Sequence, residues 1–190
     1  MTFWNWRRSP GPTATQGAAA VASAPELAPI ELYTAESRIV GWLAPHGQRI
    51  TDLLATRDEL RLWRPSPGPL DETDIPGDTP PGGENGEWES LPTARIILAM
   101  PPEWRASRQL RLHKRLRRAA LVAGPFSVTG NIHLQPGVDV GPHLLRGASF
   151  LPLTDAYLLH IGEPPFEHVV SVVIVNAAHV SSIVPLVTLA

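Results

Sequence analysis

The sequence predicts an α+β, β-rich protein made of two tandem pseudo-symmetric small β-units with short helical turns. Three observations carry that expectation. Runs of β-branched and aliphatic residues recur between Gly, Pro, Asn and Asp turn signals. Helical patterns stay short. The order of features in the first half returns in the second.

The bulk numbers set limits. The chain has 190 residues, of which 43% are hydrophobic and 18% charged, enough apolar material for one ordinary domain or two small ones. The net charge of −2 argues against nonspecific polyanion binding by the chain as a whole. There is no cysteine, which excludes disulfides, thiolate metal sites and cysteine nucleophiles. It fits a reducing compartment, and the expected location is cytoplasmic. No apolar run approaches the ~18 residues of a membrane helix. Arg7 and Arg8 precede SPGPTATQG, not a continuous apolar stretch, so a signal peptide is not expected.

Residues 1–29 read as a disordered tail, because Ala, Ser, Thr, Pro and Gly bury too little to offset the entropy of ordering. The tail's tip carries Phe3, Trp4, Trp6, Arg7 and Arg8, residue types that anchor interfaces. The first β-unit spans 30–107. Residues 30–45 alternate as a long strand or hairpin arm, 50–57 as a short helix capped by Thr51 or Asp52, and 59–63 as a strand. Residues 64–92 form an acidic Pro/Gly-rich loop with seven acids (Asp71, Glu72, Asp74, Asp78, Glu84, Glu87 and Glu89) and one base, Arg64. ARIILAM, 94–100, is a buried type of strand.

A basic connector follows at 108–118. The wider segment 105–118 holds Arg105, Arg108, Arg111, Lys114, Arg115, Arg117 and Arg118, seven of the sixteen Lys and Arg residues. The second β-unit spans 119–190. It reads as a strand pair at 119–134, a loop and helical turn through HLLRG, a strand in SFLPLTDAYLLHI, another in VVSVVIVNAAHV, and the closing SSIVPLVTLA.

The two units align on three points. Gly41 in RIVGWL matches Gly130 in SVTGNI. Leu54 in DLLATR matches Leu144 in HLLRGA. Ile96 in ARIILAM matches Val172 in VSVVIV. The third offset is shorter by about fourteen residues, which places an insertion between the third and fourth strands of the first unit, where the acidic loop sits. Two marginal cores then combine into one, as in a dimer fused into a single chain. Gly41 and Gly130 are expected at bends or bulges.

The stretches GPFSVTGNIHLQPGVDVGP (124–142), FLPLTDA (150–156) and VVIVNAAHV (172–180) resemble a group of uncharacterised bacterial proteins with small β-rich domains. The resemblance covers the second unit, with a weaker echo in the first. Its motifs are structural punctuation, so it implies a fold and no reaction. Strand count and glycine placement are loosely similar to small barrels of the Sm or SH3 kind.

Catalytic signatures are missing. There is no phosphate loop, nucleotide fingerprint, serine elbow or zinc-protease motif. The nearest metal candidate is His133, Asp139 and His143, whose spacing is not one that zinc sites favour. Asp155 and Asn176 read as caps at strand ends. We therefore expect no cofactor, no enzymatic activity, and a non-catalytic interaction or regulatory module that contacts another protein through its tail and acidic loop. The alternative is nucleic-acid binding by the basic segment, with affinity falling steeply in salt.

Overall fold

The computed structural model describes residues 26–72, 87–102 and 115–186. Among these residues ten strands form one antiparallel sheet. They are β1 (Ala28–Tyr33), β2 (Arg38–Leu43), β3 (Glu59–Gly68), β4 (Trp88–Pro92), β5 (Leu98–Met100), β6 (Arg115–Ala123), β7 (Phe126–Leu134), β8 (Phe150–His160), β9 (Phe166–Asn176) and β10 (Val180–Pro185). Helix α1 (Ile50–Thr56) joins β2 to β3, and α2 (His143–Gly147) joins β7 to β8. Single 3-10 turns precede β5 (Thr93–Arg95) and β10 (Ala177–His179). The sheet runs β10-β6-β7-β8-β9-β5-β1-β2-β3-β4.

Several expected boundaries shift. The 30–45 segment is a hairpin, with Tyr33 opposite Arg38 and Thr34 closing the turn to Ser37. Its first strand starts at Ala28, inside the expected tail. The loop drawn at 64–92 is shorter than expected, because β3 continues to Gly68 and β4 begins at Trp88. Past Arg64, whose amide still reaches the Glu87 carbonyl, β3 pairs among the described residues only with β2, and prolines 65 and 67 fit on a strand with one side free of a strand partner there. Likewise the 108–118 connector overlaps β6, which starts at Arg115. Helix α1 is capped at Arg49, not at Thr51 or Asp52. Arg49 is extended and its carbonyl accepts from the Leu53 amide at 2.9 Å, so both expected caps lie inside the first turn.

The glycines do mark bulges. Pairing of β2 with β3 slips between Val40 and Trp42, and pairing of β7 with β8 slips between Thr129 and Asn131. Gly41 and Gly130 occupy those slips. A Cβ on Gly130 would lie 3.1 Å from the Thr154 oxygen and 3.1 Å from the Ala156 Cβ, and one on Gly41 would lie 3.3 Å from the Pro65 Cα. The extra residues opposite include Arg64 and Asp155, at φ 47° and 48°, the left-handed region. Asp155 therefore sits at a bend within β8, not at the strand end expected from PLTDA.

Two apolar clusters lie on opposite faces of the sheet's centre. The first gathers Leu121, Phe126, Val128, Leu153, Leu158, Val173 and Val175 with Tyr33, Leu98 and Met100 from the first half of the chain. The second gathers Ile30, Leu32, Leu60, Leu62 and the α1 residues Ile50, Leu53 and Leu54 with Phe150 and Ile174 from the second half. Side chains alternate across a strand. Leu98 and Ala99, or Val173 and Ile174, thus serve different cores. This is why ARIILAM and VSVVIV read as continuous apolar runs: both faces are covered. The sequence alignment matches these two runs to each other. They are neighbours, with Leu98 opposite Val175 and Ala99 opposite Ile174.

Asn176 locks that junction. It caps the 3-10 turn as expected, its Oδ1 accepting from the Ala178 amide at 3.0 Å. It also crosses to the other half, with its backbone amide donating to the Ile97 carbonyl at 2.9 Å and Nδ2 to the Ile96 carbonyl at 2.8 Å. His179 Nε2 donates to the Ala94 carbonyl at 2.7 Å. Asn176→Ala leaves a buried carbonyl and an amide unpaired. It should destabilise the chain by about 2–3 kcal/mol in urea unfolding, whereas half-buried Asn131→Ala, which loses one bond to Asp155, should cost under about 1 kcal/mol. Gly130→Val should cost about 3 kcal/mol by overpacking the β8 bulge.

Candidate functional site

The outer face of β10-β6-β7-β8-β9 carries most of the exposed large apolar side chains among the described residues. Register places side chains in rows across it. One row runs Val184, Ala120, Thr129, Tyr157, Val169. The next runs Ser182, Val122, Ser127, Leu159, Glu167. A strand covered on one side should turn polar residues to water. Here Leu116, Tyr157, Leu159, Val169 and Val184 are all exposed on this one face, and Val169 keeps 83% of its surface open. In the first half only Trp88 is comparably exposed among large apolar side chains of the described residues. Grouped apolar exposure of this kind makes the face a candidate site.

Polar groups rim the face. Tyr157 donates its hydroxyl to Glu167, a bond that holds the phenol above its ordinary pKa, with partial burial and the carboxylate charge adding to it. Asn131 Nδ2 donates to Asp155 Oδ2 at 3.1 Å, beside exposed Arg118, which stands opposite Asn131. These groups can fix the orientation of a docked chain, but no two of them form a nucleophile–base pair.

A second feature is buried. Glu31, Tyr33, Arg38 and Glu72 converge at the β1–β2 hairpin. Arg38, whose side chain is only 3% exposed, places Nε 2.6 Å from Glu31 Oε1, and the Tyr33 hydroxyl donates to the same oxygen at 2.6 Å. Glu72 lies 4.0 Å from Arg38 NH1. Burial, then the Glu31 charge and its hydrogen bond, push the Tyr33 hydroxyl far above its ordinary range. The Tyr33 ring meets Phe126 edge-on at 5.5 Å and Phe166 at 6.0 Å, and Phe166 stacks on His160 at 5.0 Å. His160 in turn donates Nδ1 to the Pro164 carbonyl at 2.8 Å. The ion cluster thus holds Tyr33 as a peg in the other half's core. The Tyr33 hydroxyl and Arg38 Nε both donate to one Glu31 oxygen, which ties the ring to the β1–β2 hairpin.

The residues expected from sequence distribute as follows. Phe3, Trp4, Trp6, Arg7 and Arg8 lie outside the described residues, as do Arg105, Arg108, Arg111 and Lys114. Arg115, Arg117 and Arg118 are exposed on β6. His133 Nε2 meets the Thr154 hydroxyl at 3.0 Å, and no group of three His, Asp or Glu among the described residues is placed to hold a metal. His143 instead starts α2. Among the described residues no helix is long and apolar enough to cross a membrane. No family model, curated protein or solved structure matches the chain.

Sequence reasoning missed the outer face and a tryptophan row. Trp42, Trp63 and Trp88 stand opposite one another across β2, β3 and β4. Trp42 meets Trp63 edge-on at 6.1 Å, and the Arg64 and Arg61 guanidinium groups sit 4.8 Å from the Trp63 ring and 5.3 Å from the Trp88 ring. The available signal was outward-phased Tyr157, Leu159, Val169 and Val184, all apolar where alternation calls for polar residues.

Two outcomes test the buried cluster. Glu31→Gln leaves Arg38 with its main partner neutralised and should destabilise the fold by about 3 kcal/mol. Folded Tyr33 holds its proton more tightly than the unfolded chain does, so its contribution is full below the ordinary tyrosine pKa of about 10 and is lost as pH rises through the folded value. Unfolding midpoints measured from pH 9 upward should therefore fall less steeply for Tyr33→Phe than for the natural chain.

Proposed function

We propose that this chain is a non-catalytic interaction module, made of two tandem copies of one small β-unit, that receives a protein partner on the outer face of its second unit. The observation that carries the reading is the set of exposed apolar side chains on that single face, Leu116, Tyr157, Leu159, Val169 and Val184. The expected contacts through the tail and the acidic loop are an extension of the same proposal.

Support for tandem copies comes from matched positions. Each half has five strands in the order fifth-first-second-third-fourth, a helix between its second and third strands, and a 3-10 turn between its fourth and fifth. Each has a glycine at a bulge facing a left-handed residue, Gly41 with Arg64 and Gly130 with Asp155. In this correspondence β4 answers to β9, and β5 to β10. In this correspondence the acidic stretch falls between the third and fourth strands of the first unit, with Trp88–Pro92 as the fourth strand in place of ARIILAM. The same features support the loose similarity to Sm- or SH3-like barrels.

Nucleic-acid binding is the second reading, favoured by the exposed Arg115, Arg117 and Arg118 on β6. The two readings separate in one experiment. The full chain and its Val169→Glu/Leu159→Glu variant serve as bait against the native lysate, with bound protein and nucleic acid both measured. Val169 is open to solvent, while Leu159→Glu sets a like charge opposite Glu167, so the variant should lose about 1 kcal/mol of unfolding free energy and remain folded. We expect a specific protein retained by the natural chain and weakened about tenfold or more by the variant. Equal retention by both baits contradicts the face. Nucleic acid on both, stripped by salt, supports the second reading instead.

A further inference from the structure

We infer that copies of this chain join head to tail, the β4 edge of one pairing antiparallel with the β10 edge of the next in a closed ring. The inference rests on the tandem reading above. Strands β4 and β10 end the sheet, so among the described residues each has one side without a strand partner. Natural sheets seldom leave such edges both apolar and open. Here the edges carry three of the exposed large apolar side chains: Trp88 on β4, Val184 on β10, and Leu186 just beyond it.

The chain already contains the joint that these edges would make. If β4 answers to β9 and β5 to β10, then the β9–β5 junction inside the chain is the same joint as β4–β10 between chains. At the internal joint Ile174 stands opposite Ala99 and Val175 opposite Leu98. Counting from the 3-10 turn that follows each fourth strand, Ile174 corresponds to Ser90 and Ala99 to Ile183. Ser90 of one chain then faces Ile183 of the next, with Glu89 opposite Val184 and Trp88 opposite Pro185.

Backbone polarity fits this register. The Arg64 amide donates to the Glu87 carbonyl and the Thr93 amide to the Asp58 carbonyl. Ladder alternation then turns the 87, 89, 91 and 93 groups towards β3 and leaves Ser90 facing outward. The Leu186 amide donates to the Arg118 carbonyl, which by the same alternation turns 184 and 186 towards β6 and Ile183 outward. Burial agrees. Met100 and Val172, the internal counterparts of Val184 and Trp88, are packed against the cores, whereas Val184 and Trp88 are exposed. The joint is heterologous, since two different edges meet. Such contacts generate rings when the rotation closes, and a ring leaves no free edge.

Light scattering after gel filtration, with native mass spectrometry, tests this on the full chain. The natural chain should run as one discrete assembly of several 20.6 kDa chains. Ser90→Pro removes an outward amide without touching the β3 ladder, and Val184→Glu sets a like charge opposite Glu89. Each should reduce the mass to a single chain while circular dichroism and melting stay those of a folded protein. Mixed together, the two variants should form a one-to-one dimer, because one intact β4 meets one intact β10. Glu89→Lys with Val184→Glu should restore the ring. A monomeric natural chain, or an assembly unchanged by either edge variant, overturns the proposal. An assembly broken by Val169→Glu but not by Ser90→Pro also overturns it, and leaves the outer face standing as the contact. Loss of the assembly in both edge variants without rescue by Glu89→Lys would reject the register, and with it the tandem correspondence.

Discussion

The short pairing of β5 with β9 is the contact on which the rest of the structure depends. It joins residues far apart in the chain through only two paired positions, Leu98–Val175 and Ala99–Ile174, and the bonds from Asn176. So small a ladder would be weak in water, where the net gain per hydrogen bond is modest. It holds because both faces are apolar and covered, one core on each side. Each half contributes side chains to the other's core: Tyr33, Leu98 and Met100 in one direction, Phe150 and Ile174 in the other. A unit of this size alone buries a marginal core, and sharing residues across the joint relieves that.

Two further devices serve the joint. The Glu31–Arg38 pair neutralises charges at the base of the β1–β2 hairpin and anchors Tyr33 by its hydroxyl, so that its ring can enter a cluster of Phe126, Phe166 and His160. The glycine bulges bend β2 against β3 and β7 against β8, which lets one continuous sheet curve around two separate cores. With the interior fixed this way, Val169 and Leu159 stay exposed on the outer face of the second half, and Tyr157 is held there by its bond to Glu167.

Much of this was legible in the chain. Periodicity located most of the strands, the short helix at 50–56, and the helical turn at HLLRG, because these segments are bounded by Gly and Pro and patterned on one face. Gly41 and Gly130 were readable as bulges. What failed has specific causes. Strand β3 extends through prolines 65 and 67, which local rules read as a break, because among the described residues one side of that stretch has no strand partner. ARIILAM and VSVVIV looked like copies of one strand because each is buried on both faces. Periodicity reports burial and not sheet position. The outer face has no clear mark in the sequence, since alternation in β8 and β9 does not say which apolar residues point out and only register does. The role of Asn176 across the joint has no local signature, since its partners at Ile96 and Ile97 lie in the other half.

The central claim is that the two halves are one cooperative body through the β5–β9 joint. Native-state hydrogen exchange measures this directly. The amides of Ala99, Ile174 and Asn176 should exchange only through global unfolding, with the same free energy of opening as Leu62 in one core and Leu121 in the other. Exchange at the joint with a markedly smaller opening free energy, while Leu62 and Leu121 stay protected at different levels, would mean two independent domains that merely touch, and would contradict the account.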